Sequence, residues 1–306
     1  MIKRFIFSVV SLFIVLIISF LLNESSPKDY SVFFGGTNLN ILTKEAVINI
    51  DKRYNLDKDI YQRFSIWFMN FISGNFGKSM VTNREIKIEF TVRFFPTFII
   101  AVFSIFLSII ISIFLSILSV ISKKIDFIIR IFSNILISIP IFIIFLLILV
   151  FVSPLIPSLP IIWDDNFKNY ILPISIMSIY NATFISRILR NKLLEVIHKE
   201  YFVAALSRGN SFFQALIKHA FINCITTLIS ISGIRFIGLL SGLIIIESIF
   251  SIPGIGSYIY EAILNRDLPV IQFYIAFIGI FVIIIHLLVD VVIYFLNPKN
   301  SEEIFS

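Results

Sequence analysis

The residues of this sequence that could do chemistry are few and scattered. His198, His219 and His286 fall on three different segments, and Cys224 is the only cysteine. That spacing offers no local metal motif, no intrachain disulfide and no cysteine-based metal cluster. Residues 72–79, Ile72-Ser73-Gly74-Asn75-Phe76-Gly77-Lys78-Ser79, end like a loop that cradles phosphates. Such a loop needs a glycine five residues before its Gly-Lys pair, where this chain has Ile72, and a buried strand ahead of it. No nucleotide site is therefore expected, and no catalytic, cofactor-binding or metal-ligating residue is assigned. What remains are charged groups inside apolar runs, above all Arg235, Glu247 and Asp290. Each is costly in hydrocarbon and needs a reason to be there.

The elements that must position these groups follow from composition. Hydrophobic residues make up 58% of the 306, charged residues 14%, and phenylalanine alone contributes 35. The mean hydropathy is +0.98. A soluble domain carries roughly 45–50% apolar and about 25% charged residues, so this chain lacks the polar surface to cover itself in water. Lipid is its expected solvent on several faces. The net charge of +6 comes from basic residues scattered between apolar blocks. That pattern fits the flanks of membrane spans better than a nucleic-acid stripe, and no nucleic-acid partner is expected.

Lipid cannot satisfy a bare backbone, so the apolar runs read as helices, and the fold class is an all-α membrane protein. Six spans are expected, at residues 5–22, 94–121, 125–152, 170–188, 224–250 and 270–296. The first has the charged start of a signal peptide, but Asn23-Glu24-Ser25-Ser26-Pro27 offers no small-x-small cleavage site, and it reads as an uncleaved span. Residues 23–93 form an extracytoplasmic region, within which 60–76 either lies along the membrane surface or packs on the spans. Residues 94–306 hold the other five spans and a polar loop, 187–223. Lys3, Arg4, Lys123, Lys124, Arg187, Arg190, Lys192, Lys199, Arg208 and Lys218 fall on one side, and only Lys168 and Arg266 in the short loops of the other. Both termini are then cytoplasmic.

The loop between spans four and five contains Glu200-Tyr201-Phe202-Val203-Ala204-Ala205-Leu206-Ser207-Arg208-Gly209-Asn210-Ser211-Phe212-Phe213. Phe202, Ala205, Leu206 and Gly209 recur at helical spacing, with small residues keeping one face narrow. A short helix of this kind suits a groove on a partner; an ordinary interfacial helix has the same spacing.

This loop resembles the "EAA" signature of the dipeptide/oligopeptide/nickel permease family of ABC importers. Glu200, Tyr201, Ala205, Gly209, His219, Ala220 and Asn223 fall on family positions. Glu247-Ser248-Ile249-Phe250 and Pro253-Gly254-Ile255-Gly256 resemble its E-x-x-F and P-G-L-G elements, and Ala262-Ile263-Leu264, Arg266-Asp267, Pro269-Val270-Ile271-Gln272, Leu288-Val289-Asp290 and Asn297-Pro298 follow in register. Upstream, Tyr54-Asn55-Leu56-Asp57, residues 74–79 and Arg93-Phe94-Phe95-Pro96-Thr97 resemble its N-terminal half. The resemblance implies the type I importer permease fold in the inner membrane. It implies a homologous second permease subunit, two cytoplasmic ATPase subunits and an extracytoplasmic substrate-binding protein as partners. It assigns ATPase coupling to Glu200, Tyr201, Ala204, Ala205, Gly209 and His219, and a gate or substrate path to Glu247, Pro253 and Gly254. The chain departs from the pattern at Thr227, where proline is usual, at Val203, where the broader signature has an acid, and at Ile252, where tryptophan is usual.

Arg235 has no counterpart in that pattern. It lies about ten residues into span five, near mid-bilayer by the 1.5 Å helical rise. Two readings stand: Arg235 pairs with Asp290 across spans five and six, or it lines the substrate path. For substrate, the family carries short peptides, with nickel or metal chelates as the alternative. A stand-alone secondary transporter is the rival of another class, but no clear internal repeat supports it.

Overall fold

The structure, a computed structural model, describes residues 2–25, 58–152, 155 and 166–296. The expectations placed on 26–57 and on 297–306 lie outside the described residues. Eleven α-helices run in order through the described residues: α1 Ile2–Ser25, α2 Ile60–Ile72, α3 Ile86–Ile121, α4 Lys123–Ser138, α5 Ile141–Leu147, α6 Ile171–Ile197, α7 Glu200–Ser207, α8 Phe212–Ala215, α9 Ile222–Ile249, α10 Ile255–Leu264 and α11 Leu268–Leu296. There is no strand among these residues, only an isolated antiparallel bridge between Lys78 and Glu85.

Four helical stretches are long and apolar enough to cross a membrane: Ile86–Ile121, Phe167–Ile197, Phe212–Ile249 and Leu268–Leu296. A shorter apolar stretch, Ile6–Leu22, lies within α1. The third expected span is corrected. It is not one rod but a pair, Lys123–Ser138 and Ile141–Phe151, bent by 95°. The cause is Pro140, which has no N–H to donate and drives its predecessor out of helical geometry; Ile139 is extended at φ −99°, ψ 123°. The other ends also run past the expected bounds. The fifth expected span is the C-terminal part of a 38-residue rod from Phe212, in which α8 passes through a π-helical turn, Leu216–Phe221, into α9. With Thr227 in place of proline, α9 has all its N–H donors and continues unbroken to Ile249.

The chain divides into two compact units, Met1–Phe95 with Pro253–Ile283, and Pro96–Ile252 with Ile284–Ser306. The first is held by aromatic packing. Phe64, Trp67, Phe68 and Phe71 recur at i, i+3, i+4 and i+7 on α2, forming one apolar stripe. Phe64 meets Phe13 and Phe20 of α1 edge-on, and Phe71 continues the stack through Phe76 to Phe273. An Arg63–Glu24 ion pair joins the same two helices. Of the two expectations for 60–76, the structure takes packing on the spans.

In the second unit, small residues bring α3 and α6 together. Ser104, Ser108, Ser112 and Ser116 of α3 are all fully buried, and their spacing of four puts them on one face. Ser108 Oγ donates to the Ser178 carbonyl at 3.1 Å, and Ser178 Oγ to the Ser104 carbonyl at 3.2 Å. Helices in lipid gain little from apolar burial, so close backbone approach and such cross-helix bonds carry the packing. The opposite face of α3 presents Phe103, Phe106, Ile110 and Phe114 outward.

Candidate functional site

The loop before α9 is built from local signals. Two turns of α7 cannot hold themselves together in water; they are held by Phe202 and Ala205, 2% and 4% exposed. Both enter a core with Leu189, Leu193 and Val196 of α6 and Ala215, Leu216, Ala220 and Cys224 of the following rod. The C-terminus closes with the N–H of Gly209 on the Leu206 carbonyl at 2.9 Å and that of Asn210 on the Ala205 carbonyl at 3.3 Å. This paired closure requires a left-handed residue, and Gly209 supplies it at φ +89°. The next helix opens at once. Ser211 Oγ accepts from Gln214 N at 3.3 Å, and Gln214 Oε1 accepts from Ser211 N at 3.1 Å. This is the reciprocal cap that Ser-x-x-Gln encodes, and it could have been read from Ser211-Phe212-Phe213-Gln214.

The structure redistributes the expected face. Phe202 and Ala205 turn inward, whereas Tyr201, Val203, Ala204, Leu206, Phe212 and Phe213 are exposed. Ala205 therefore positions the helix rather than offering itself to a partner. Glu200 is exposed at the start of α7, and His219 is half-buried on the π-helical turn, its carbonyl accepting from Asn223 Nδ2 at 2.6 Å. Desolvation holds the Tyr201 phenol above its ordinary pKa, so it presents a neutral hydroxyl.

The basic residues around this loop do more than flank spans. Arg190 Nη2 donates to Asp126 Oδ2 at 2.7 Å, and Arg130 Nε lies 3.2 Å from the same oxygen. Arg187 Nη1 donates to Asn134 Oδ1 at 2.9 Å. Together they tie α4 to the end of α6 from which α7 departs.

Arg235 has other partners than expected. Arg235, at the middle of α9, donates from Nε to Asn181 Oδ1 on α6 at 3.2 Å, and its guanidinium lies 3.8 Å over the Phe184 ring. The expected Arg235–Asp290 pair is not among the ion pairs of the described residues, and His286 is exposed on α11. Glu247 is fully buried and accepts from Thr97 Oγ1 at 2.6 Å. A side chain enclosed this completely does not reach a substrate in this conformation. After α9, the Ile252 N–H returns to the Glu247 carbonyl at 2.8 Å. Pro253 is exposed, and Gly254 opens α10, its N–H 3.2 Å from Ser257 Oγ.

The phosphate-loop lookalike has a structural use instead. Ser79 Oγ donates to Asp267 Oδ2 and accepts from Val81 N and Thr82 N, while Met80 N donates to Asp267 Oδ1. Asp267→Asn is expected to destabilise this turn by about 1 kcal/mol. Both lone pairs of Ser79 Oγ are already taken, so an amide in either orientation leaves one donor facing another. Faster proteolysis after Lys78 and Arg84 is the readout, and an unchanged rate would refute it.

Residues 108–302, nearly two thirds of the chain, match the family described as binding-protein-dependent transport system inner membrane component. A probable peptide ABC transporter permease protein, y4tP, of Sinorhizobium fredii is 28% identical over 307 residues, covering 97% of each chain. The glutathione transport system permease protein GsiC of Escherichia coli K12 is 28% identical over 300 residues, again covering 97% of each. The family match and the apolar helices agree, and the chain belongs to the binding-protein-dependent transport system inner membrane components, as the multi-pass permease of an ABC importer.

Proposed function

We propose that this chain forms part of the translocation path of an inner-membrane importer for short peptides. A second, homologous permease subunit completes the path, two cytoplasmic ATPase subunits energise it, and an extracytoplasmic binding protein delivers the peptide. Both termini and the loop 187–223 face the cytoplasm, and residues 23–93 face outward. The observation that carries the ATPase contact is α7. Its inward residues anchor it to the ends of two spans, and Tyr201, Val203, Ala204 and Leu206 remain exposed for a partner. A rigid helix docked in a partner passes the partner's closure to a bistable bundle of spans. Support for peptide over nickel comes from the relatives, one named for peptides and one for glutathione.

The test is uptake of a labelled tripeptide and of radiolabelled nickel, measured side by side in deletion and complemented cells. Peptide uptake is expected to fall at least tenfold in the deletion and return on complementation, with nickel uptake unchanged. The opposite pattern would assign the chain to metal supply.

A further inference from the structure

We infer that Arg235 takes the carboxylate of the peptide as it crosses the membrane, an inference that rests on the peptide-import reading above. Arg235 sits at the midpoint of α9, about 20 Å from either end at 1.5 Å per residue. No side chain spans that distance, so its charge cannot escape to the membrane surface. Two neighbours from α6 hold it in place: Asn181 takes Nε, and Phe184 stacks beneath the guanidinium plane. Asn181 is itself locked, its Nδ2 donating to the Met177 carbonyl at 2.9 Å. Neither neighbour carries charge. A purely structural arginine at this depth would be served by a carboxylate, whereas an amide and a ring orient the group without neutralising it.

Among the described residues, none bonds to the terminal nitrogens of Arg235. They form the flat fork that matches a carboxylate with two parallel hydrogen bonds. One turn on, Gly238 has open space where a side chain would stand, and Ser241 is exposed. A fixed guanidinium with a free fork, one turn from the open space at Gly238, offers an anion a place to rest during passage.

The experiment compares uptake of one labelled tripeptide with a free C-terminal carboxylate and with a C-terminal amide, using the same binding protein throughout. Permeases with Arg235, Arg235→Gln and Arg235→Lys are each compared at matched levels of assembled importer. Arg235→Gln is expected to lower the acid-to-amide uptake ratio about tenfold by slowing the acid alone, with Arg235→Lys in between. An unchanged ratio overturns the inference. So does an equal fall in both peptides, which would mark Arg235 as packing against, or pairing with, the second subunit. Should Arg235→Gln fail to assemble, the ratio in Arg235→Lys decides, since lysine keeps the charge and loses the fork. If deleting the permease leaves uptake of both peptides intact, the peptide-import reading itself fails. If the deletion stops uptake and the ratio stays fixed, only the role of Arg235 does.

Discussion

Replacing Phe202 with alanine is expected to cut uptake more than tenfold while the permease stays inserted in the membrane at its normal level. The large effect comes from the shortness of α7. Eight residues form too few hydrogen bonds to offset the cost of starting a helix, so α7 exists because Phe202 is seated in the core between α6 and the following rod. Its ring also meets Phe212 edge-on at 5.9 Å, which joins the two arms of the loop. Truncating a buried phenylalanine costs about 3–5 kcal/mol, more than a two-turn helix can lose and remain folded. The spans are held by separate contacts and should survive. Trypsin is the check, because Lys199 and Arg208 bracket α7; in the variant both sites should open. Tyr201→Ala supplies the contrast. Its side chain is exposed, so α7 should stay resistant to trypsin while capture of the ATPase subunits weakens. Normal uptake in the Phe202 variant would mean that α7 does not carry the coupling.

Much of this was legible in the sequence, and the misses share a physical cause. An apolar run reports where hydrocarbon lies and not where a helix ends. The helix through Phe94 begins at Ile86, and the helical rod through Cys224 begins at Phe212, because backbone hydrogen bonds continue into the polar flanks. The break at Pro140 was written in Ser138-Ile139-Pro140, but hydropathy alone passes over it. The serine ladder was also present, at Ser104, Ser108, Ser112 and Ser116. Its spacing marks a packing face, whereas hydropathy counts serine only as slightly polar. The partner of Arg235 was out of reach for a different reason. Counting residues gives depth, and depth allowed Asp290; which neighbour the side chain meets depends on rotation about the α9 axis and on where α6 lies, and neither follows from the spacing of one helix. The role of Gly209, in contrast, was readable, since a glycine after a short apolar helix marks the left-handed turn that ends it.

Gly233→Ala is expected to destabilise the permease by about 1–3 kcal/mol, the usual cost of forcing an extra carbon into a packed contact. A β-carbon at this position on α9 would stand 2.5 Å from Val289 Cγ2 on α11, a separation that carbon atoms do not tolerate. Valine, branched at Cβ, has few rotamers into which to retreat, so α11 must move away or α9 must bend. The effect should appear as a lower unfolding temperature in detergent and less importer recovered from membranes. The geometry also supplies its own control. Val289→Ala removes both γ-carbons, and the remaining contact is to Val289 Cβ at 3.6 Å, an ordinary van der Waals distance. Gly233→Ala combined with Val289→Ala should therefore recover most of the loss, making the two substitutions strongly non-additive. Additive losses would show that α9 and α11 do not cross at this point, and that Gly233 matters for the flexibility of its own helix instead.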